Sequence, residues 1–334
     1  MTTLVACMRV VSPGLLTTVQ DLGRPGMQRY GVPLSGAMDQ FALQAANRLV
    51  GNPLDAAALE ITSGGAIFEL LEPTLLAVAG ADLNATLDGE PLPLWTAVWV
   101  PCGALLQFIA RKQPWGARAY LAIAGGVDVP LVLGSRSTYL PGGFGGMDGR
   151  PLRAGDIIGA TLPASDPQRL AGQRWPEYAR PAYGAIPTLR MVAGPHSDCF
   201  ANDALDQLAA TPLCVSQTSN RMGYRLEGLT VRYARPCSLP SLGVLPGAIQ
   251  VPPDGTPILL MADAQTTGGY PIIGVVIGPD LSLAAQLLPG DSLGCMPISL
   301  EEAVHARTAW QTRLKVPLET DDIVAALAWA GAPA

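Results

Sequence analysis

Apolar positions come in short runs, not in long stretches with helical spacing. Leu75–Ala79, Ala97–Val100, Leu105–Ile109 and Ala119–Ile123 are four to five residues long, and Gly, Pro or Asp punctuates the chain around them. Runs of that length and spacing predict short strands joined by tight turns. Further strands are expected at Thr188–Val192 and Leu259–Met261. Helices are few. Met38, Ala42, Ala45 and Leu49 recur at helical spacing, with Ser35 placed to cap the helix, Asp39 in its first turn and Gly51 at its end. A short helix is expected within Ser197–Ala209. Ser299 and Glu302 form an S-x-x-E box opening a helix to about Leu314, and a last helix starts at Thr320. The fold class is therefore mainly β with a few helices. A polar stretch without a clear period, Leu162–Pro187, marks the boundary between a lobe at 1–165, a linker at 166–187 and a lobe at 188–334. L-x-x-G-D-x-[IL]-G occurs twice, at Leu152–Gly159 and Leu287–Gly294. Either two similar lobes or chance recurrence of a common turn accounts for it.

Composition narrows the function classes. Only 14% of the 334 residues are charged, against about 25% in an average soluble chain. The net charge is −6 and no Lys/Arg run occurs, which argues against nucleic acid as a partner. Mean hydropathy is +0.28, yet Pro271–Gly278 is strand-sized and the tail Ile323–Ala334 has only 12 residues. A spanning helix needs about 20, so no membrane association is expected. The amino-terminal MTTLVACMRVVSPG has no signal-peptide pattern, and the six scattered cysteines form no CxxC; both point to a reduced, cytoplasmic protein. So few charges leave little to spread over a surface. Either another chain covers part of it, or the fold is compact and loop-rich from a genome biased toward Ala, Gly, Pro and Arg.

No P-loop is present, and lysine occurs only at 112 and 315, neither in a turn suited to covalent biotin. Histidine occurs only at 196 and 305, too few for a multi-His metal site; a nucleophilic pair of His196 with Cys199 is conceivable but has no spacing to support it. Four polar segments carry the candidate chemistry. Thr17–Asp39 holds Gln20, Asp21, Arg24, Gln28, Ser35 and Asp39 among glycines and prolines, and glycine lets backbone N–H groups approach an anion. It reads either as an anion loop or as a structural loop with Asp21 paired to Arg24. Gly134–Thr138 places Arg136 between Ser135 and Ser137, with Thr138 following, suited to a carboxylate or phosphate, or else a solvated turn. Asn220–Gly223 places Arg221 in a turn that hairpin closure alone also explains. Gly247–Tyr270 contains Gln250, Asp263, Gln265, Thr267, Gly268, Gly269 and Tyr270. Asp263 is the best candidate general base there, unless it only caps its own turn.

TTVQDLGRPGMQRYGVPLSGAMD, ANRLVGN with LE-IT-SGG, YLAIAGGVDVPLVLGSRST, SNRMGYRLEG and IQVPPDGTPILLMADAQTTGGYPIIG, in this order, resemble one family over nearly the whole chain. It is the family of the C-type 5-oxoprolinase subunit, also called the biotin-dependent carboxyltransferase family. It includes the antagonist of the sporulation-kinase inhibitor and part of the carboxyltransferase domain of urea carboxylase. The resemblance implies two cyclophilin-like β-barrel lobes. It implies B-type and A-type companion subunits that, with ATP and its usual Mg²⁺, open the lactam of 5-oxoproline to glutamate. Phosphoryl transfer to the lactam oxygen would create charge that Arg and N–H donors stabilise. On that reading Arg24, Asp21 and Asp263 are catalytic, with Arg24, Arg136 and Arg221 holding anionic groups and Gln250, Asp263 and Gln265 orienting the lactam. Two further readings are a carboxyltransferase component, with biotin carried on another chain and urea or a similar amide as acceptor, and a regulatory partner of a kinase-inhibitor-like companion.

Overall fold

The computed structural model describes residues 4–161 and 166–330, with side chains to residue 326. The end of the first expected lobe (162–165), the side chain of Trp329, expected as a packing residue, and residues 331–334 of the tail lie outside the described residues. Two compact units form. The first comprises residues 1–23, 39–180 and 313–334, the second residues 24–38 and 181–312.

The first unit is built on a six-stranded sheet, which contains Leu4–Pro13, Ala66–Leu70, Leu105–Phe108 and Ile157–Thr161, and a five-stranded sheet, which contains Leu16–Gln20, Ala58–Thr62, Thr74–Gly80, Ala97–Val100 and Arg118–Ile123. Both sheets feed one core, in which Met8, Phe68 and Phe108 join Leu59, Val78 and Leu121. The helix Gln40–Leu49 packs on Thr74–Gly80 and Arg118–Ile123. Those two strands are buried at every residue, as is Ala58–Thr62. Burial on both faces is why Leu75–Ala79 and Ala119–Ile123 within these strands read as continuous apolar runs, while burial alternates along Leu105–Phe108.

The second unit contains a closed barrel. Its strands run in the order Thr188–Ala193, Ile272–Val276, Ala248–Gln250, Ile258–Leu260, Gly223–Glu227, Leu213–Val215 and Ser292–Pro297, which returns to the first. Closure is made by the parallel pairing of Thr188–Ala193 with Ser292–Pro297; the other pairings are antiparallel. The mainly β reading holds, with the closed barrel in the second unit and two sheets in the first.

The expected helices at the carboxyl end are present. Ser299 and Glu302 exchange side-chain-to-backbone bonds (Ser299 N–H to Glu302 Oε2, 2.8 Å; Glu302 N–H to Ser299 Oγ, 3.2 Å) at the start of Leu300–Arg313. Asp39, not Ser35, caps the first helix: its Oδ1 accepts the Ala42 N–H at 3.0 Å. Ser35 is held in the left-handed region (φ 55°) by contacts described below.

The units do not follow the linear division. Residues 313–334 belong to the first unit because Arg48 donates to the carbonyls of Leu314 (2.6 Å) and Val316 (2.7 Å), and Gln173–Arg174 pairs with Glu319–Thr320. Residues 166–180 go with the first unit and 24–38 with the second. The cysteines are not all reduced: Cys199 and Cys237 are bonded, which also removes the His196–Cys199 nucleophile, and His196 Nδ1 accepts the Ile272 N–H at 3.2 Å.

The repeated L-x-x-G-D-x-[IL]-G motif takes one conformation twice. Gly155 and Gly290 have φ of 90° and 92°, and Asp156 and Asp291 accept the N–H three residues back, at 2.7 and 2.9 Å. Asp156 in addition holds Arg150 through two bonds, 2.7 and 2.9 Å. The Arg150 hydrogen bond, against an opposing contribution from burial, keeps the Asp156 carboxyl below the usual carboxylate value. A depressed carboxylate contributes stability that is present above its unfolded value and is lost as pH falls through its folded value. Asp156→Asn is therefore expected to lower stability at pH 7 by about 1–3 kcal/mol. Urea titrations against pH should show the gap from the parent closing below about pH 4.

Candidate functional site

In the first unit Asp21, Arg136, Thr138 and Asp39 have hydrogen-bond partners within the chain. Asp21 is 7% exposed, and its carboxylate accepts from Ser135 Oγ (2.6 Å), Ser137 Oγ, the Gly23 N–H (2.8 Å) and the Arg136 N–H (2.6 Å). Four donors hold this carboxylate, three on Oδ1 and one on Oδ2, and Arg24 is not among them. The Arg136 guanidinium donates to the Val129 carbonyl (3.0 Å) and to Asp128 (3.3 Å). Thr138 Oγ1 donates to the Val19 carbonyl at 3.0 Å, and Gln20 Nε2 donates to Thr18 Oγ1 and the Thr138 carbonyl. Gln20 Oε1 is buried without a hydrogen-bond partner. Asp39 serves as the helix cap, and its N–H donates to Tyr120 Oη (2.7 Å), which donates to Glu60 (2.7 Å). Burial, with Glu60 and Asp39 nearby, pushes the Tyr120 phenol well above its ordinary value.

In the second unit the centre is a buried ion pair. Arg221 Nε and Nη2 donate to Asp263 at 2.9 and 3.2 Å, with 6% and 1% of the two side chains exposed. Arg221 Nη2 also donates to the Gly36 carbonyl at 2.6 Å, and the Ser35 N–H donates to the Ala262 carbonyl at 3.0 Å. Three segments distant in sequence are thus tied together. The ion pair engages both Asp263 oxygens, so the geometry makes Asp263 the counter-ion of Arg221 where sequence reasoning expected a free base. Arg24 is 1% exposed, with its N–H bonded to the Leu34 carbonyl, and Gln28 turns back to accept the Gly26 N–H (3.0 Å).

Beyond Asp263 the chain forms the edge Gln265–Tyr270. Gln265 Nε2 donates to Gln250 Oε1 at 3.2 Å, which fixes the Gln250 carboxamide. Gln250 is 1% exposed, and its Nε2 has no hydrogen-bond partner; the same holds for Ser35 Oγ, also 1% exposed. A buried donor without a partner costs about 1–3 kcal/mol, so such groups mark places where a ligand or water completes the bonding. A Cβ at Gly268 would lie 2.6 Å from Gln250 Nε2, so glycine is what gives that donor room. Thr267 and Tyr270 are exposed, and Gly269 is half-buried.

Sequence reasoning placed Ser137 beside Arg136 for an anion, not as a donor to Asp21, and gave no role to Glu60, Tyr120 or Arg118. For Ser137 the signal was the alternation in G-S-R-S-T, which puts Ser135 and Ser137 on one side of an extended chain. For Glu60 and Arg118 it was a charge inside a fully buried strand, which requires a partner; Arg118 Nε lies 3.8 Å from Glu60.

These features define a β-barrel protein with a buried ion pair, in which Gln250 Nε2 and Ser35 Oγ are buried without a hydrogen-bond partner. The chain belongs to the family of the carboxyltransferase domain, subdomain A and B, which matches residues 30–295. It is similar to the C-type subunit of the Escherichia coli K12 5-oxoprolinase, 39% identical over 300 residues that cover 90% of this chain and 94% of that one. It is 35% identical to urea amidolyase of Lachancea kluyveri over 88% of this chain, which is 17% of that protein. The crystal structure of the K. lactis urea amidolyase superposes with a TM-score of 0.86 at 31% identity, covering 94% of this chain and 20% of that chain. The chain thus spans nearly the whole of the bacterial relative and about a fifth of the yeast structure.

Removing one partner of a buried ion pair leaves an uncompensated charge and costs about 3–5 kcal/mol. Asp263→Ala is expected to lose that much stability in urea unfolding. The double variant Asp263→Ala/Arg221→Leu should recover part of the loss.

Proposed function

We propose that this chain is the C-type subunit of an ATP-dependent 5-oxoprolinase, a hydrolase that opens the lactam of 5-oxo-L-proline to L-glutamate together with B-type and A-type subunits. The observation that carries the reading is the 39% identity to the C-type subunit of a bacterial 5-oxoprolinase over 94% of its length. The site chemistry supports it. A lactam is a neutral cyclic amide whose carbonyl oxygen gains negative charge as the ring opens. The unpartnered Gln250 Nε2 donor and the Ser35 hydroxyl are suited to that oxygen, Gln265 holds the Gln250 carboxamide in orientation, and Gly268 leaves space beside it. Arg221 and Asp263 position this edge through their pairing.

Three cations of this chain already have a carboxylate partner. Arg221 is neutralised by Asp263, Arg136 leans on Asp128, and of the two lysines Lys112 pairs with Asp82. No step involving ATP or Mg²⁺ is assigned to these side chains, and the phosphoryl chemistry is proposed to lie with the companion subunits.

A second reading rests on the likeness to urea amidolyase. There the chain would be a carboxyltransferase component, with biotin carried elsewhere and urea or a similar amide as acceptor. The Gln250 donor fits a ureido carbonyl as it fits a lactam.

The deciding experiment uses the chain co-expressed with a B-type companion, mixed with an A-type subunit, and follows glutamate release from 5-oxoproline. Glutamate is expected only when every component and ATP are present. A stable complex that releases none would overturn the reading, and transfer of CO2 from carboxybiotin to urea would then establish the second. Given activity, Gln250→Leu is expected to lower kcat about 10²–10³-fold, the range found for loss of one such donor. Gly268→Ala should lower it in the same direction, with thermal unfolding of both variants close to that of the parent.

A further inference from the structure

The bonded cysteine pair sits at the root of a strap that lies on the substrate-facing edge. Cys199 ends the short turn Ser197–Cys199 and is 4% exposed in the barrel core, whereas Cys237 is half-buried. Around the bond the chain is well fixed. The Ala234 N–H donates to the Cys199 carbonyl (2.9 Å), Arg235 pairs with Asp198 (2.5 Å), and the Phe200 and Tyr233 rings stack at 5.0 Å. Beyond Cys237 the segment to Leu245 is mostly exposed. It returns at Leu242–Gly243, which pairs with Thr267–Gly268, and at Val244, whose N–H donates to the Thr266 carbonyl at 3.0 Å. Gly269 faces the Leu239 carbonyl from the other side. The strap therefore packs on Gly268, which gives the Gln250 donor its room, and on Gly269 beside it. It is tethered at one end by the disulfide and at the other by a two-residue pairing and one buried valine.

We infer that Cys199–Cys237 is a thiol-sensitive latch: bonded, it holds the strap 237–245 on the Thr267–Gly269 edge, and reduced, it lets the strap lift. Cys7, Cys102, Cys214 and Cys295 stay as thiols, so the chain is not a disulfide scaffold. Cys237 is the less buried of the two cysteines and is the one a small dithiol would attack. In the exchange one thiolate of the dithiol attacks Cys237 Sγ, the S–S bond breaks, and Cys199 departs as a thiolate that takes up a proton. The second thiol of the reagent then displaces Cys237, leaving a cyclic disulfide of the reagent and two protein thiols, a two-electron reduction in all. The inference rests on the proposed role of Gln250 and Gly268, so its test has a readout that does not need activity.

Hydrogen exchange of the full chain is measured with and without dithiothreitol on peptides covering 237–245 and 264–270. Peptides from the barrel strands 188–193 and 272–276 serve as the control. Exchange in the first two is expected to rise at least tenfold on reduction, with the control unchanged. Cys237→Ser should show the raised rate without reductant and no further response to it. In the active complex, reduction should raise KM for the amide substrate several-fold with kcat little changed, and reoxidation should restore it. Six alkylatable thiols in the unreduced, denatured protein would overturn the inference, as would unchanged exchange on reduction or a rise spread equally over the barrel. A redox-sensitive strap in a complex that never opens 5-oxoproline would sustain the latch and overturn the function proposed above.

Discussion

Burying a guanidinium and a carboxylate together is tolerable only when both are paired in good geometry and their remaining groups are bonded. In the second unit this requirement falls on Arg221 and Asp263, and three pieces of chain must come together to meet it. The turn Asn220–Gly223 supplies Arg221, the segment after Ile258–Leu260 supplies Asp263, and the stretch around Ser35 supplies the Gly36 carbonyl. Backbone bonds run alongside, from the Asp263 N–H to the Arg221 carbonyl and from the Met261 N–H to the Met222 carbonyl. The pair accounts for residues 24–38 belonging to this unit although they lie far from it in sequence. The edge that carries Gln265 and Gly268 begins two residues past Asp263, so its placement follows from the same pairing.

The first unit applies the same rule to different residues. Asp21, with its donors Ser135, Ser137 and the Arg136 N–H, and Asp39, with Tyr120 and Glu60, are closed networks at the two points where the chain leaves this unit and returns to it. Buried polar groups of this kind are costly unless complete, and complete ones fix the backbone firmly. Most of the residues that look chemical in the sequence therefore already have hydrogen-bond partners within the chain. Gln250 Nε2 and Ser35 Oγ of the second unit are among the buried polar atoms without a hydrogen-bond partner.

The local features were legible in the sequence because local physics decides them. Apolar runs marked the buried strands, S-x-x-E marked the capping box, and the G-D turns took the same conformation at both positions. The polar segments were also found, because polar residues among glycines stand out. Their roles were not, because each depends on a partner remote in sequence. The Ser35 position as a helix cap was lost to contacts with Ala262 and Arg221, the latter bonded to a carbonyl 185 residues away. Asp263 as a base was lost to an arginine 42 residues earlier, and the cysteine pairing joins positions 38 apart. The division into units was hidden for the same reason, since Arg48 reaches the carbonyls at 314 and 316.

The site that emerges is electrically balanced. Arg221 is paired with Asp263, so on the proposed function a ligand at Gln250 would meet the carboxamide dipole without a free cation from this pair. A phosphate or carboxylate would gain little there over water, because the guanidinium already has its anion. A neutral carbonyl gains more, since it completes a donor that is otherwise buried and unpaired. Such a site rejects an isostere lacking the acceptor, because that isostere would leave the donor exposed to the full desolvation penalty. On the proposed function, selectivity for a neutral amide would rest on the Gln250 donor and on the Arg221–Asp263 pair two residues before the edge.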